Sequence, residues 1–516
     1  MVLMTQLSFY IVSDVHGYIF PTDFSQTNQQ LPMGLLYANQ LIEQSSKNDD
    51  IYFKIDNGDF LQGAPLCNYL VSELRSSKPL TTIYNRLNFD LGTIGNHEFN
   101  YGLPYLIDTL QNLNHPVLCA NILDSKQQPF TGEGVHYFEK EGLTIGVIGL
   151  TTQNIPNWEQ PHHIEGLIFK SAIETLTQLL PNVREKADIV VVSYHGGFER
   201  DIDTEEPTED LTGENEASEI LHRFHESIDV LITGHQHRDI ATVKYETAVI
   251  QPGTRATQIG KVTLTIGDNN QIIDTQSELL PVVGDSEYSL LPEDSNLLTH
   301  LEDWLDTEIT TLPEPMLVKD QFEARMKPHP LINLINVMLL EKSGADIAST
   351  ALFDSAAGFN KRITMRDIIN NYPFPNTFQV LKLTGAGIKD ALEKSASYFT
   401  LNDKNEITIN DAFLYPKPQH FNYDMYGGIT YTIHVREPIG QRVTDIKVGN
   451  EPLISDKTYT ICVNNYRAVG GGNYDMFAEA PVVKDIQEEG AQLLIDFITN
   501  NDISNIPQVL NFKVEL

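Results

Sequence analysis

Asp14-Val15-His16, Asn57-Gly58-Asp59, Gly95-Asn96-His97-Glu98, His195-Gly196-Gly197 and Gly234-His235-Gln236-His237 set carboxylate, amide and imidazole groups close to glycines. Each cluster alone reads as a turn, because Gly and Asn favour left-handed backbone. Together they are a donor set for chemistry. Two divalent cations a few ångströms apart need mixed nitrogen and oxygen ligands with one carboxylate between them. Asp14, His16, Asp59, Asn96, His195, His235 and His237 supply that mixture. Asp59 is the expected bridge, since it lies between the two ligand groups in chain order and Gly58 permits close approach. Such a pair would activate a water at neutral pH, clamp a phosphoryl group and stabilise a leaving oxygen. His97 is then free to stabilise transition-state charge or to protonate the leaving group. Mn²⁺, Zn²⁺, Co²⁺ and Fe²⁺ all suit these ligands.

Every cluster closes an apolar run, over residues 9–13, 51–55, 91–94, 189–192 and 230–232. Runs of this length read as buried strands. In an open α/β sheet, ligands bind outside the carboxyl ends of the strands, so the clusters are expected to converge on one pocket. Helical spacing is expected over residues 35–44, 172–187 and 217–225, and further strands over 116–122, 144–150 and 262–266. Residues 247–251 and 261–266 read as an antiparallel pair, so the pattern predicts layered mixed sheets flanked by helices, an α/β fold. The acidic stretch 201–216 reads as a surface excursion, with a solvated loop at the pocket mouth as the alternative.

The 516 residues exceed one comfortable core, and two domains are expected: 1–285 carrying the clusters and 320–516 with a second α/β pattern. Between them, 286–319 reads as a proline-flanked linker with an acidic helix over 296–309. In the second half, helices are expected over 331–342, 385–396 and 486–498, with strands over 378–383, 429–434 and 458–464.

A formal net charge of -35 and a pI near 4.6 argue against wrapping a nucleic-acid polymer, which needs a basic stripe. Small phosphorylated substrates remain compatible, since bound cations reverse the local field. Three widely separated cysteines indicate a reduced chain without a disulfide framework. No stretch is long and apolar enough to span a bilayer, and strand-like sequence begins by Leu7, so no membrane partner and a cytoplasmic location are expected. His115, His136, His222, His225 and His300 lack glycine or acidic partners and read as ordinary residues, as does the His162-His163 pair.

In order and composition, the clusters resemble the successive motifs of calcineurin-like metallophosphoesterases. Along nearly its full length the chain resembles the two-domain family of 5′-nucleotidases and 2′,3′-cyclic-nucleotide 2′-phosphodiesterase/3′-nucleotidases. The resemblance implies one metal on Asp14, His16, Asp59 and His237 and a second on Asp59, Asn96, His195 and His235. It also implies a C-terminal substrate domain that closes over the first. Its marks are Tyr372-Pro373-Phe374-Pro375-Asn376-Thr377, the stretch from Phe421 to Gly428, and Asn464-Asn465-Tyr466-Arg467 with the glycines that follow. Phe421 and Tyr466 match the positions that hold a nucleobase between two aromatic faces, with Tyr423 and Tyr426 as neighbours able to substitute. Asn376 and Arg467 are further candidates for substrate contact, Arg467 with a structural role as its alternative.

Two features resemble the cyclic phosphodiesterase branch. Asn100 stands where 5′-specific relatives pair the catalytic His with an Asp, and residues 348–354 lack the arginine those relatives carry. The expected substrate is therefore a 2′,3′-cyclic nucleotide, opened to the 3′-nucleotide and then dephosphorylated. A 5′-nucleotidase or broad nucleotide phosphohydrolase is the alternative, and a non-catalytic nucleotide-binding protein a more distant one.

Overall fold

The computed structural model describes residues 4–208, 211–283, 290–374, 376–415, 417–486, 488–503 and 509–516. The chain divides into two compact units, Met1–Glu302 and Asp303–Leu516. The boundary expected at 285/286 lies outside the described residues.

In the first unit, Thr5–Val12 runs parallel to Ile51–Asp56, with Leu7 opposite Ile51 and Val12 opposite Asp56. Leu91–Thr93 and Val117–Leu118 continue the parallel series, and antiparallel Gln258–Ile266 and Ile272–Pro281 complete a six-stranded sheet. A second six-stranded sheet aligns Leu143–Thr151, Ile189–His195, Val230–Ile232 and Thr247–Pro252 in parallel. Antiparallel Val135–Lys140 and Asp239–Lys244 form its edges.

Alternation along the strands explains the layering. Ile189 and Val191 share one core with Phe9, Ile11 and Phe53 of the other sheet. Val190 and Val192 face the opposite way, into a core with Leu176 and Leu180 of helix Ala172–Lys186 and Ile220 of helix Ala217–Phe224. Strands buried on both faces read as unbroken apolar runs, as parallel sheets require. The register aligns strand ends within each sheet: Val12 with Asp56 in one, and Thr151 with His195 in the other. The loops that carry the polar clusters therefore leave from carboxyl edges.

The expected pairing of 247–251 with 261–266 does not occur. Thr247–Pro252 lies in the second sheet between Val230–Ile232 and Asp239–Lys244, whereas Gln258–Ile266 lies in the first. Thr247–Pro252 is buried along its whole length, and two neighbours within one sheet saturate its backbone. The strand expected over 116–122 is split into Val117–Leu118 and Ile122–Leu123. Between them Asn121 donates its side-chain amide to the carbonyls of Thr151 and Lys170 at 2.7 and 2.9 Å.

Helix Pro292–Leu305 occupies the expected linker helix and is followed by strand Glu308–Thr311. Its buried Asp294 pairs with Arg86. In the second unit, Asp424–Gly427, Ile347–Ala351, Thr458–Asn464, Phe378–Thr384 and Val482–Ile486 form a five-stranded sheet, in that spatial order. Helices Pro330–Ser343 and Gly385–Ala396 contribute Leu334, Leu339, Ile388 and Leu392 to its core. The helix expected over 486–498 runs Gly490–Asn500; Ile486 instead ends a strand. Among the described residues, no helix is long and apolar enough to cross a membrane.

Candidate active site

The loops from the two carboxyl edges gather ligand atoms into two groups. Asp14, His16 and His237 form one, Asp59, His195 and His235 the other, each with its ligand atoms within 4.8 Å of one another. Orientation comes from the backbone. His16 Nδ1 lies 2.8 Å from the carbonyl of Gln62, and His195 Nδ1 lies 2.7 Å from that of Asn57. A carbonyl only accepts, so each Nδ1 carries a proton and each Nε2 is the atom turned inward, the one that would ligate a metal. His16 Nε2 sits 3.0 Å from His237 Nε2.

Asp59 reaches both groups. Its Oδ2 lies 3.1 Å from His195 Nε2 and 3.9 Å from His16 Nε2, while Oδ1 accepts the N–H of His97 at 2.8 Å. Asp59 Oδ2 and His195 Nε2 are both buried and without a hydrogen-bond partner. Buried polar atoms left this way are costly, and a cation between them removes the cost. His235 gives the same indication. Its Nδ1 faces Asn96 Oδ1 at 2.8 Å and its Nε2 faces Glu214 Oε1 at 2.9 Å. With Asn96 Oδ1 on that side, a neutral imidazole donates to only one of the two acceptors, and the other contact takes a second proton or a metal ion. The residues present therefore fit two divalent cations.

The charges agree. Burial would raise the Asp14 carboxyl, but the imidazoles of His195 and His237 outweigh it and hold the group well below the usual range. Burial pushes His16 down to about 3, so it stays a neutral ligand. Burial opposes charge on His195, yet Asp59 and Asp14 outweigh it and lift the imidazole to about 10. Without metal, His195 holds the positive charge that a cation would otherwise supply.

Several supporting residues escaped the sequence reading. Glu98 is fully buried and accepts the N–H groups of Asp59, Phe60, Leu61 and Gly95 at 2.9, 2.7, 3.1 and 2.6 Å. One carboxylate thus ties the Asp59 loop to the Asn96 loop. Close approach explains the glycine at 95, where a Cβ would stand 2.2 Å from Asp59 Oδ1. Glu214 comes from the acidic stretch, which is not a plain surface excursion at that end. There Asn215 accepts the N–H of Gly197 at 2.6 Å and Glu216 accepts that of Ala172 at 2.8 Å. Residues 209–210 of the stretch lie outside the described residues. Trp158 stacks on the His235 ring at 5.5 Å and 16°. The signal for this segment was a strand, Leu143–Thr151, that ends level with His195 but leads into no ligand cluster of its own.

His97 stands beside the first group, its ring 5.2 Å from that of His16. Its Nδ1 contacts Asn100 Oδ1 at 2.7 Å, and Asn100 donates to Glu159 Oε2 at 2.8 Å. His163 pairs with Glu159 at 2.8 Å.

In the second unit, Phe421 and Tyr466 are half-buried neighbours, their rings edge to face at 6.3 Å and 68°. That arrangement is an edge-to-face contact rather than a parallel sandwich. Tyr423 and Tyr426 are not substitutes: both are packed in the core at 0% and 1% exposure. Arg467 makes the contacts of its alternative, structural role. Only 2% exposed, it pairs with Asp424 at 3.0 Å and donates to the carbonyls of Phe421 and Gly471. The guanidinium ties the loop of Phe421 to the loop that follows Tyr466. Asn376 donates to Asn465 Oδ1 at 3.1 Å, beside Tyr466 in the chain. Pro375 lies outside the described residues.

Comparison with known proteins agrees with both halves. The family model for calcineurin-like phosphoesterases matches residues 7–239, and that for the 5′-nucleotidase C-terminal domain matches 308–479. A Staphylococcus aureus protein provisionally named a 5′-nucleotidase, solved with α-ketoglutarate, is 58% identical. The match covers 99% of this chain and all of that one, with a TM-score of 0.96. A 2′,3′-cyclic-nucleotide 2′-phosphodiesterase/3′-nucleotidase from Salmonella typhimurium is 26% identical over 89% of this chain and 80% of its own. The trifunctional nucleotide phosphoesterase YfkN of Bacillus subtilis is 25% identical, over 97% of this chain; the match spans only 38% of that longer protein.

Proposed function

Because the chain belongs to the two-domain 5′-nucleotidase family of calcineurin-like metallophosphoesterases, we propose that it opens 2′,3′-cyclic nucleotides to 3′-nucleotides and then releases phosphate. The observation that carries this reading is the pair of ligand groups joined at Asp59, with their ligand atoms turned toward one another. Asp14, His16, Asp59 and His237 would hold one ion; Asp59, Asn96, His195 and His235 would hold the other. Two divalent ions in such a set supply Lewis acidity toward the phosphoryl group and an activated water.

The chain's own residues do the rest. Asn96 helps to hold the phosphoryl oxygens, while the ligand imidazoles would hold the ions. His97, with its Nδ1–H engaged by Asn100, acts as the imidazolium: it gives its Nε2 proton to the leaving oxygen and is left neutral. Phe421 and Tyr466 hold the base, at roughly 1–3 kcal/mol per stacked face. Asn100 beside His97, where a carboxylate would mark the 5′-specific branch, favours cyclic and 3′-nucleotides. The Salmonella relative's name agrees with that choice. A second reading, 5′-nucleotide hydrolysis, draws support from the name of the 58% identical Staphylococcus protein.

Phosphate release with Mn²⁺ from 2′,3′-cyclic AMP, 3′-AMP and 5′-AMP, with product analysis, separates the two. Turnover of the cyclic compound through 3′-AMP, lost in His97→Ala, is the expected result. Consumption of 5′-AMP alone would leave the hydrolase intact and overturn the substrate assignment.

A further inference from the structure

The amide of Asn100 is, by itself, a poor director of an imidazole. It can present either its oxygen or its nitrogen to His97 Nδ1, and the two choices select opposite tautomers. The contact on its far side removes the choice. Glu159 Oε2 lies 2.8 Å from Asn100 Nδ2, and a carboxylate only accepts, so the NH₂ points to Glu159 and Oδ1 points to His97. Glu159 is itself fixed: only 8% exposed, its Oε1 takes the N–H of Gln160 at 2.8 Å and His163 Nδ1 at 2.8 Å. The direction of every hydrogen bond from His163 to His97 is thereby set.

We propose that Glu159 is a positioning residue which, acting through Asn100, holds the Nδ1–H of His97 and turns Nε2 toward the substrate. The imidazolium then gives its Nε2 proton to the leaving oxygen and is left as the neutral Nδ1–H tautomer. This rests on the reading of His97 as proton donor to the leaving oxygen. Glu159 stands one amide behind the imidazole and takes the place of the missing Asp at position 100 as the anion of the array. The same short segment carries Trp158, stacked on the ring of His235. It therefore steadies the imidazoles of both the proton donor and the second ligand group.

The geometry makes a sign-specific prediction. Placing an Asp at position 100 would restore a direct His–carboxylate pair, but here it would set two carboxylates 2.8 Å apart. Asn100→Asp should therefore lower turnover of 3′-AMP at least tenfold, and Asn100→Asp with Glu159→Gln should recover most of that loss. Glu159→Ala should lower turnover of 3′-AMP, whose alkoxide needs a proton, by about 10²-fold, the lower end of general-acid contributions. It should lower turnover of p-nitrophenyl phosphate, whose leaving group needs little, several-fold less.

The experiment is steady-state kinetics of the Mn²⁺-loaded full chain on both substrates, for wild type, His97→Ala, Glu159→Ala, Asn100→Asp and the double variant. Rescue in the double variant, with a leaving-group preference shared by Glu159→Ala and His97→Ala, supports the proposal. Equal losses on both substrates, or no rescue, overturn it in favour of mere loop packing. If Glu159→Ala does not fold, the Asn100 pair decides alone. If His97→Ala shows no leaving-group preference, the reading of His97 falls, and the proposal with it.

Discussion

The ligand loops of the first unit and the aromatic patch of the second are built by opposite means. Around Asp59, the chain turns ligand atoms toward one another: Asp59 Oδ2 and His195 Nε2 make no hydrogen bond to any other group, and His235 faces acceptors from both ring nitrogens. Around Phe421 and Tyr466, the polar groups cancel one another below the surface. Arg467 and Asp424 satisfy each other, and the rings above them are left half-buried. A reaction centre is marked by the ligand atoms that the fold turns on one another. A recognition surface is marked by how completely the fold satisfies itself underneath.

The comparison can be broken most severely at the shared carboxylate. Asp59→Ala removes the ligand common to both groups and should lower kcat by roughly 10³-fold or more, several kcal/mol of transition-state stabilisation. Metal content of the purified variant should fall in parallel. In the second unit the equivalent cut is Arg467→Met, which strands the buried charge of Asp424. Loss of one partner of such a pair costs about 3–5 kcal/mol, so denaturant unfolding should show a large drop in stability with the metal ligands untouched. If stability held while KM alone rose, Arg467 would be a substrate contact after all.

Two smaller changes sharpen the contrast. Glu214→Gln weakens the carboxylate behind His235 and should reduce metal affinity by about 10–100-fold, read by titration of the metal-free protein. Phe421→Ala should raise KM by about tenfold with kcat little changed, the loss of a face worth ~1–3 kcal/mol. The smallest effect concerns Asp56, which accepts the N–H of Gly58 and whose carboxyl is pushed up by burial to about 8. Between its ordinary value of 3.8 and about 8, the folded chain keeps a proton that the unfolded chain has released. Asp56 therefore makes stability fall as pH rises through that window. The melting temperature of Asp56→Asn relative to wild type should rise by a few degrees between pH 5 and pH 8.

The ligand set was legible because parallel strands advertise themselves as apolar runs, and polar residues just past their ends stand out. The same logic located both sheets but not every pairing: Thr247–Pro252 and Gln258–Ile266 look like a hairpin and belong to different sheets. Glu98 was visible within its motif yet gave no hint that it accepts backbone N–H groups from two loops. Glu159 and Glu214 lie far in sequence from the groups they orient, and an acidic residue in a loop is ordinarily solvated. Arg467 and Phe421 could not be told apart by composition, since burial decides which one faces outward.

The backbone at the ligands has a cost that the side chains conceal. Asp14, His16, Asp59, His235 and His237 hold φ of 53°, 50°, 58°, 66° and 56°, a region that disfavours residues bearing a Cβ by roughly 1–2 kcal/mol each. Glycine would rest there more comfortably. In a mutant library screened only for heat resistance, these positions would drift toward glycine, and the survivors would be sturdier and inert. Durability and turnover compete at the same few residues, so this enzyme is best hardened elsewhere, in its sheets and surface helices.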